Sequence, residues 1–200
     1  MVFKISRVIA NILFTLFRRV RYIGKENLPA GGSMLVIANH TSMYDPVVVG
    51  LALQRPSAVM AKKELFSKPL VAKYLTAMGA FPVDRGETDR AALKTALRIL
   101  QNGQTLVLFP EGTRGNGKEL LPFKNGAAYL AMNTDCLIVP MAIENSSALF
   151  KYFRRPVTVC IGTPFRFDAA EGESRRAAMD RLLQEQEDAV RRLWVQIKNE

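Results

Sequence analysis

Met34-Leu35-Val36-Ile37-Ala38-Asn39-His40-Thr41-Ser42-Met43-Tyr44-Asp45-Pro46-Val47-Val48-Val49 holds the key to the fold. Met34 to Ala38 is an unbroken apolar run, the pattern of a strand buried on both faces. Asp45-Pro46 reads as a capping aspartate with proline at the first helical position, which predicts a helix through Leu53. A fully buried strand that passes through a short polar loop into a helix belongs to an α/β sheet.

The same alternation continues outward. Val20–Ile23, Ser57–Ala61, Ala80–Val83, Thr105–Phe109, Leu137–Ile143 and Val157–Ile161 read as strands. Lys68–Met78, Thr88–Asn102, Phe123–Asn133 and Glu173–Lys198 read as helices. Thr88–Asn102 places Ala92, Leu93, Ala96, Leu97 and Leu100 on one face, and Gly103 stops it. The last helix carries an apolar stripe of Met179, Leu182, Leu183, Val190, Leu193, Trp194 and Ile197, which predicts that it packs on the core. The expected architecture is α/β: a single-domain sandwich with a largely parallel central sheet flanked by helices. Residues 21–200 form that domain, helix 173–198 included, and residues 1–20 precede it as a short basic amphipathic helix.

Composition agrees. The 200 residues are 48% hydrophobic and 23% charged, which fits a packed globular chain and excludes disordered, collagen-like and disulfide-stapled classes. The 28 Lys and Arg against 18 Asp and Glu leave a charge of +10, so the partners should be acidic. Cys136 and Cys160 are expected to be buried free thiols of a reducing compartment. Two cysteines and one histidine, His40, do not make the spaced clusters of a zinc site, so no metal is expected.

Val8–Phe17 is an apolar stretch between Lys4/Arg7 and Arg18/Arg19/Arg21. It is shorter than the about 20 residues a bilayer span needs. Lys4, Arg7, Asn11, Thr15 and Arg18 make one polar stripe at helical spacing, and no acidic residue occurs before Glu26. A basic, strongly apolar helix of this kind suits the interface of an anionic membrane. Docking on its own domain is the alternative.

Three polar clusters follow the ends of buried strands, where open α/β sheets place ligands. In the first, His40 follows a strand and Asp45 stands at a helix start. A tight turn between them brings the carboxylate to one imidazole nitrogen and leaves the other to accept a proton. A capping aspartate beside a structural histidine accounts for the spacing equally well. The second is Phe81-Pro82-Val83-Asp84-Arg85-Gly86, where Arg85 either forks onto a phosphate or pairs with Asp84 or Glu87. The third, Phe109-Pro110-Glu111-Gly112-Thr113-Arg114-Gly115-Asn116-Gly117-Lys118, is a glycine-rich basic loop whose amides and Arg114 suit an anion; a plain surface loop is the alternative. Its likeness to a nucleotide-binding P-loop fails at Glu119, where magnesium would need Ser or Thr.

Taken in order, these clusters resemble the motifs of the glycerolipid acyltransferase family, most closely its bacterial lysophosphatidic acid acyltransferase branch. The first motif, a histidine, four residues and an aspartate, matches His40–Asp45. The second matches Gly79-Ala80-Phe81-Pro82-Val83-Asp84-Arg85. The third matches Phe109-Pro110-Glu111-Gly112-Thr113-Arg114, and the fourth Ile138-Val139-Pro140-Met141. Ala61-Lys62-Lys63-Glu64-Leu65 and Phe123-Lys124-Asn125-Gly126-Ala127 are lesser echoes. The likeness runs from Tyr22 to Gly162. Family members often carry a longer N-terminal membrane-associating region than the single helix expected here.

The resemblance implies transfer of a fatty acyl group from a thioester, acyl-CoA or acyl-ACP, to the sn-2 hydroxyl of lysophosphatidic acid, giving phosphatidic acid. His40 would be the general base, Asp45 its orienter, and Lys62 an oxyanion donor together with a backbone N–H near the third motif. Arg85 and Arg114 would grip the phosphate, with Glu111, Gly112 and Thr113 around the glycerol. No cofactor is implied beyond the thioester co-substrate, and neither cysteine adjoins a candidate base for a covalent intermediate. The expected surroundings are an anionic phospholipid surface at the cytoplasmic face of the cell membrane, held peripherally or monotopically.

Three rivals stand beside this reading. One is the same chemistry on glycerol 3-phosphate or another lysophospholipid. Another is a non-catalytic basic protein of membranes or nucleic acid, but no nucleic-acid motif is present. A hydrolase would need a Gly-x-Ser-x-Gly turn or a metal site, and neither occurs.

Overall fold

The computed structural model describes residues 20–84, 89–146 and 156–199. The expected basic helix over 1–20 lies, save for its last residue, outside the described residues, as does Arg85.

Seven strands form one sheet: β1 (Val20–Ile23), β2 (Met34–Ala38), β3 (Ser57–Lys62), β4 (Ala80–Val83), β5 (Thr105–Leu108), β6 (Leu137–Glu144) and β7 (Val157–Ile161). Their order is β1-β7-β6-β2-β5-β3-β4. The five strands from β6 to β4 are mutually parallel, and β7 joins β6 antiparallel with β1 parallel to β7. The helices are α1 (Asp45–Leu53), α2 (Pro69–Ala77), α3 (Arg90–Gln101), α4 (Gly126–Met132) and α5 (Arg175–Lys198).

β2 lies mid-sheet and all five of its residues are buried. Its side chains alternate between two cores. Met34, Val36 and Ala38 pack with α1 through Val48, Val49 and Ala52. Leu35 and Ile37 face Ala96 and Leu100 of α3, Leu130 of α4 and Leu182 of α5. The last helix therefore packs on the core as its stripe predicts.

The β2-α1-β3 crossover runs one way across the sheet. The β5-α4-β6 crossover runs the other way over the opposite face. Reversal of this kind opens a crevice at the C-terminal ends of the strands. The loops that open there follow β2, β3, β4, β5 and β6.

Pro140 sits inside β6, where a missing N–H would normally break the ladder. It faces Gly162, just past β7, whose N–H donates to the Pro140 carbonyl at 2.9 Å. The register then slips by one residue before Ile138 pairs with Phe165. A Cβ on Gly162 would lie 3.0 Å from both Pro140 and Leu193. Glycine thus lets the proline ring and α5 close onto the strand.

Several helix starts differ from expectation. α3 begins at Arg90 rather than Thr88 and α5 at Arg175 rather than Glu173. α4 begins at Gly126 rather than Phe123: its first bond runs from Tyr129 N–H to the Asn125 carbonyl at 2.8 Å. Phe123 N–H donates to Glu187 at 3.2 Å and Lys124 N–H to the Pro110 carbonyl at 2.9 Å. Asp45 is not the cap of α1 but its first residue, with Tyr44 at the cap position. Its carboxylate is engaged in the preceding loop. Both cysteines are buried, and neither forms a disulfide.

Candidate active site

His40 lies two residues beyond β2, and its side chain is 7% exposed. The loop turns so tightly that Asp45 Oδ2 stands 2.8 Å from His40 Nδ1. The same oxygen accepts the backbone N–H of Thr41 at 2.7 Å and of Ser42 at 2.8 Å. A carboxylate oxygen offers only lone pairs. Nδ1 therefore carries the imidazole proton, and Nε2 is left with the lone pair. Ser146 Oγ donates to the other carboxylate oxygen, Oδ1. Asp45 thus holds four donors and is fully buried. The Phe109 ring stacks on the imidazole with centroids 4.4 Å apart, which restricts rotation of the base.

The His40 backbone is pinned as firmly. Its N–H donates to Glu111 Oε1 at 2.8 Å, and its carbonyl accepts Gly115 N–H at 2.7 Å. Glu111 Oε2 accepts Leu121 N–H at 3.3 Å. Asn39 continues the β2–β6 ladder with its side chain, donating to the Ile143 carbonyl at 2.9 Å and accepting Ile143 N–H at 2.7 Å. Burial raises the Glu111 pKa above the usual carboxylate value, against the two amides that lower it.

The other expected site residues are held in different ways. Glu111, expected beside the substrate glycerol, is buried with both oxygens on backbone amides, so in this structure it braces the His40 loop. Lys62 ends β3 and is 53% exposed, with its ammonium 3.0 Å from Glu64 and outside the His40 network. Thr113 and Arg114 are exposed on the rim. Gly112 has φ +68°, and a Cβ there would meet the Lys124 side chain at 2.9 Å. The glycine lets that lysine lie across the turn.

A buried imidazole oriented by a carboxylate, set under a glycine turn with cations at its rim, matches the ordered motifs in the sequence. Residues 19–144 match the family described as Acyltransferase. The chain belongs to the acyltransferase family. It is 31% identical over 177 residues to the 1-acyl-sn-glycerol-3-phosphate acyltransferase of Bacillus subtilis (strain 168), covering 86% of this chain and 88% of that one. The enzyme of the same name from Borreliella burgdorferi is 30% identical over 149 residues, 74% of this chain and 57% of its relative. Among solved structures, the 1-acyl-sn-glycerophosphate (LPA) acyltransferase PlsC from Thermotoga maritima superposes with a TM-score of 0.79 at 27% identity, covering 99% of this chain and 80% of that chain.

Sequence reasoning left several residues of this acyltransferase site without a role: Ser146, Asn39, Phe109, Gly115 and Lys124. One available signal was missed. The rule that strand ends carry ligands applies to β6 as it does to β2 and β5, and the residues after β6 are Asn145-Ser146. Asn145 adopts φ +63°, a left-handed turn that asparagine tolerates, and the next residue meets Asp45.

Proposed function

We propose that the chain transfers a fatty acyl group from acyl-CoA or acyl-ACP to the sn-2 hydroxyl of 1-acyl-sn-glycerol 3-phosphate, yielding phosphatidic acid. The observation that carries this reading is the buried His40–Asp45 pair, whose Nε2 is the free acceptor. The names of the relatives supply the acceptor.

An alcohol is a weak nucleophile at neutral pH, and a positioned base removes its proton as it attacks. The sn-2 hydroxyl proton moves to His40 Nε2 while its oxygen bonds to the thioester carbonyl carbon. Asp45 stabilises the imidazolium. The tetrahedral intermediate carries an oxyanion that needs donors aimed at it; an amide of the 109–115 loop is the proposed preorganised one, and Lys62 the proposed cation that joins it when substrate binds. Collapse breaks the C–S bond, and the thiolate leaves and takes a proton from His40 or water. Arg114, Arg85 and Lys124 are proposed to hold the phosphate, with Gly112 and Thr113 lining its approach. No cofactor enters this scheme.

The proposed setting is the cytoplasmic face of the cell membrane, supported by the lipid acceptor, the two buried cysteines that form no disulfide and the charge of +10. Among the described residues, no helix is long and apolar enough to cross a membrane.

The test is labelled acyl transfer by purified protein in mixed micelles, with acyl-CoA or acyl-ACP as donor. Lysophosphatidic acid, glycerol 3-phosphate and lysophosphatidylcholine are compared as acceptors, and His40→Ala is run alongside. Phosphatidic acid formed by the wild type and lost in His40→Ala is the expected result. Wild-type turnover by a folded His40→Ala would overturn the mechanism. Product from another acceptor alone would overturn the substrate.

A further inference from the structure

Helix α2 differs from every other described helix. None of its residues is buried, whereas each of the others buries at least three. Leu70 is 84% exposed, and Tyr74, one turn on and on the same face, is 51% exposed. Val71 beside them and Leu65 in the preceding turn are exposed too. Isolated apolar residues at a surface are ordinary, but a contiguous group marks an interaction site.

The charge around this group has one sign. Between Lys62 and Val83 the sequence holds four lysines, at 62, 63, 68 and 73, and a single acid, Glu64. All four lysines are exposed. The patch also has a definite place. It follows the C-terminal end of β3, two positions from β2 in the sheet and so about 10 Å away. This is the edge on which His40 lies, and Met43, in the His40 loop, is 68% exposed there.

We propose that residues 63–74 form a membrane-docking surface distinct from the N-terminal segment. Leu65, Leu70, Val71 and Tyr74 enter the headgroup region of an anionic bilayer, and Lys63, Lys68 and Lys73 meet its phosphates. Long basic side chains around an apolar face suit that interface, since their stems cover apolar surface while their heads reach charge. Residues 1–19 are a poor occupant for the patch, because they carry Lys4, Arg7, Arg18 and Arg19 and no acid. Both segments suit the same anionic plane. An acidic carrier protein would satisfy the lysines, but it would also need a pocket for a leucine that stands almost fully free.

The test uses the full chain carrying Trp194→Phe and Leu70→Trp, which makes the new indole the sole tryptophan. Emission is read in buffer, on phosphatidylcholine vesicles and on phosphatidylcholine–phosphatidylglycerol vesicles, with and without brominated acyl chains. Blue-shifted emission quenched by the bromolipid on the anionic vesicles is the expected result, with a much smaller effect on phosphatidylcholine alone. Lys68→Gln with Lys73→Gln should weaken cosedimentation with anionic vesicles by about thirtyfold. Four results would overturn the proposal: no vesicle binding, unshifted emission from vesicle-bound protein, a blue shift already present in buffer, and a shift with acyl carrier protein but not with vesicles. Tyr74→Trp is the second reporter should Leu70→Trp fail to fold. The readout is binding, so the outcome stands whether or not the acyl-transfer reading holds.

Discussion

The two halves of the strand-end edge are built differently. On the β2–β6 side, His40, Asp45, Glu111 and Ser146 are buried and bonded to one another or to backbone. On the β3 side, Lys62 is half exposed and its partner Glu64 is exposed as well. The difference separates two tasks. A base that must hold one tautomer and one ring orientation needs its acceptor fixed before the substrate arrives. Groups that grip a charged substrate can stay mobile and hydrated until it binds, at some cost in ordering.

The sharpest way to break this comparison is at the base. His40→Ala should lower kcat by about 10²–10⁴-fold, the usual worth of general-base help, with KM little changed and the fold retained. Steady-state turnover of the purified variant beside the wild type checks it. A folded His40→Ala that keeps wild-type kcat would remove His40 from the role of base.

At the rim the opposite signature is expected. Arg114→Ala should raise KM for the phosphate-bearing acceptor by about tenfold and leave kcat within about a factor of three, as loss of a surface charge contact does. If Arg114→Ala lowered kcat with KM unchanged, the rim would belong with the buried half and the division of labour would fail.

Ser146 lies between these extremes. It touches Asp45, not the base, so it is a positioning residue. Ser146→Ala removes one donor from a buried carboxylate, which costs about 1–3 kcal/mol of stability. Turnover should fall by about three- to tenfold at unchanged KM, with Ser146→Thr recovering most of it. Denaturant unfolding together with kcat measures the two effects separately. A stability loss without any change in kcat would make the contact purely structural.

Much of this edge could be read from the chain. The apolar run of β2 and the proline after Asp45 fixed the strand-loop-helix unit. Spacing allowed a His40–Asp45 contact, and the ordered motifs chose it over a capping aspartate. Two things resisted. Ser146 lies 101 residues from its partner Asp45, and no local period announces a contact at that distance. Glu111 was placed beside the substrate glycerol only by the family resemblance. Nothing in a sequence shows that backbone amides have already taken both oxygens. α4 began late too, and the contacts of Phe123 and Lys124 with Glu187 and the Pro110 carbonyl come from parts of the chain that only folding brings near.

Glu111 gives the smallest effect and the finest test of the buried half. Its pKa is raised in the folded protein by burial. A raised carboxyl pKa means that the native state holds its proton more tightly than the unfolded chain does. The stability this group adds is therefore fully present below the unfolded pKa and is lost as pH rises through the folded one. Glu111→Gln cannot titrate, so it lacks that slope. Its amide keeps one acceptor for the His40 N–H but turns an NH2 group toward the Leu121 amide, which costs one hydrogen bond. The variant should be less stable than wild type at the acid end, and the gap should narrow as pH rises across the window between the two pKa values. Urea unfolding of both proteins through that window measures the gap. A gap that widens with pH would mean that the two amides outweigh burial, with Glu111 held as a stabilised carboxylate rather than a strained one. That outcome would place the brace among the charged groups of the site and leave His40 and Asp45 as they are.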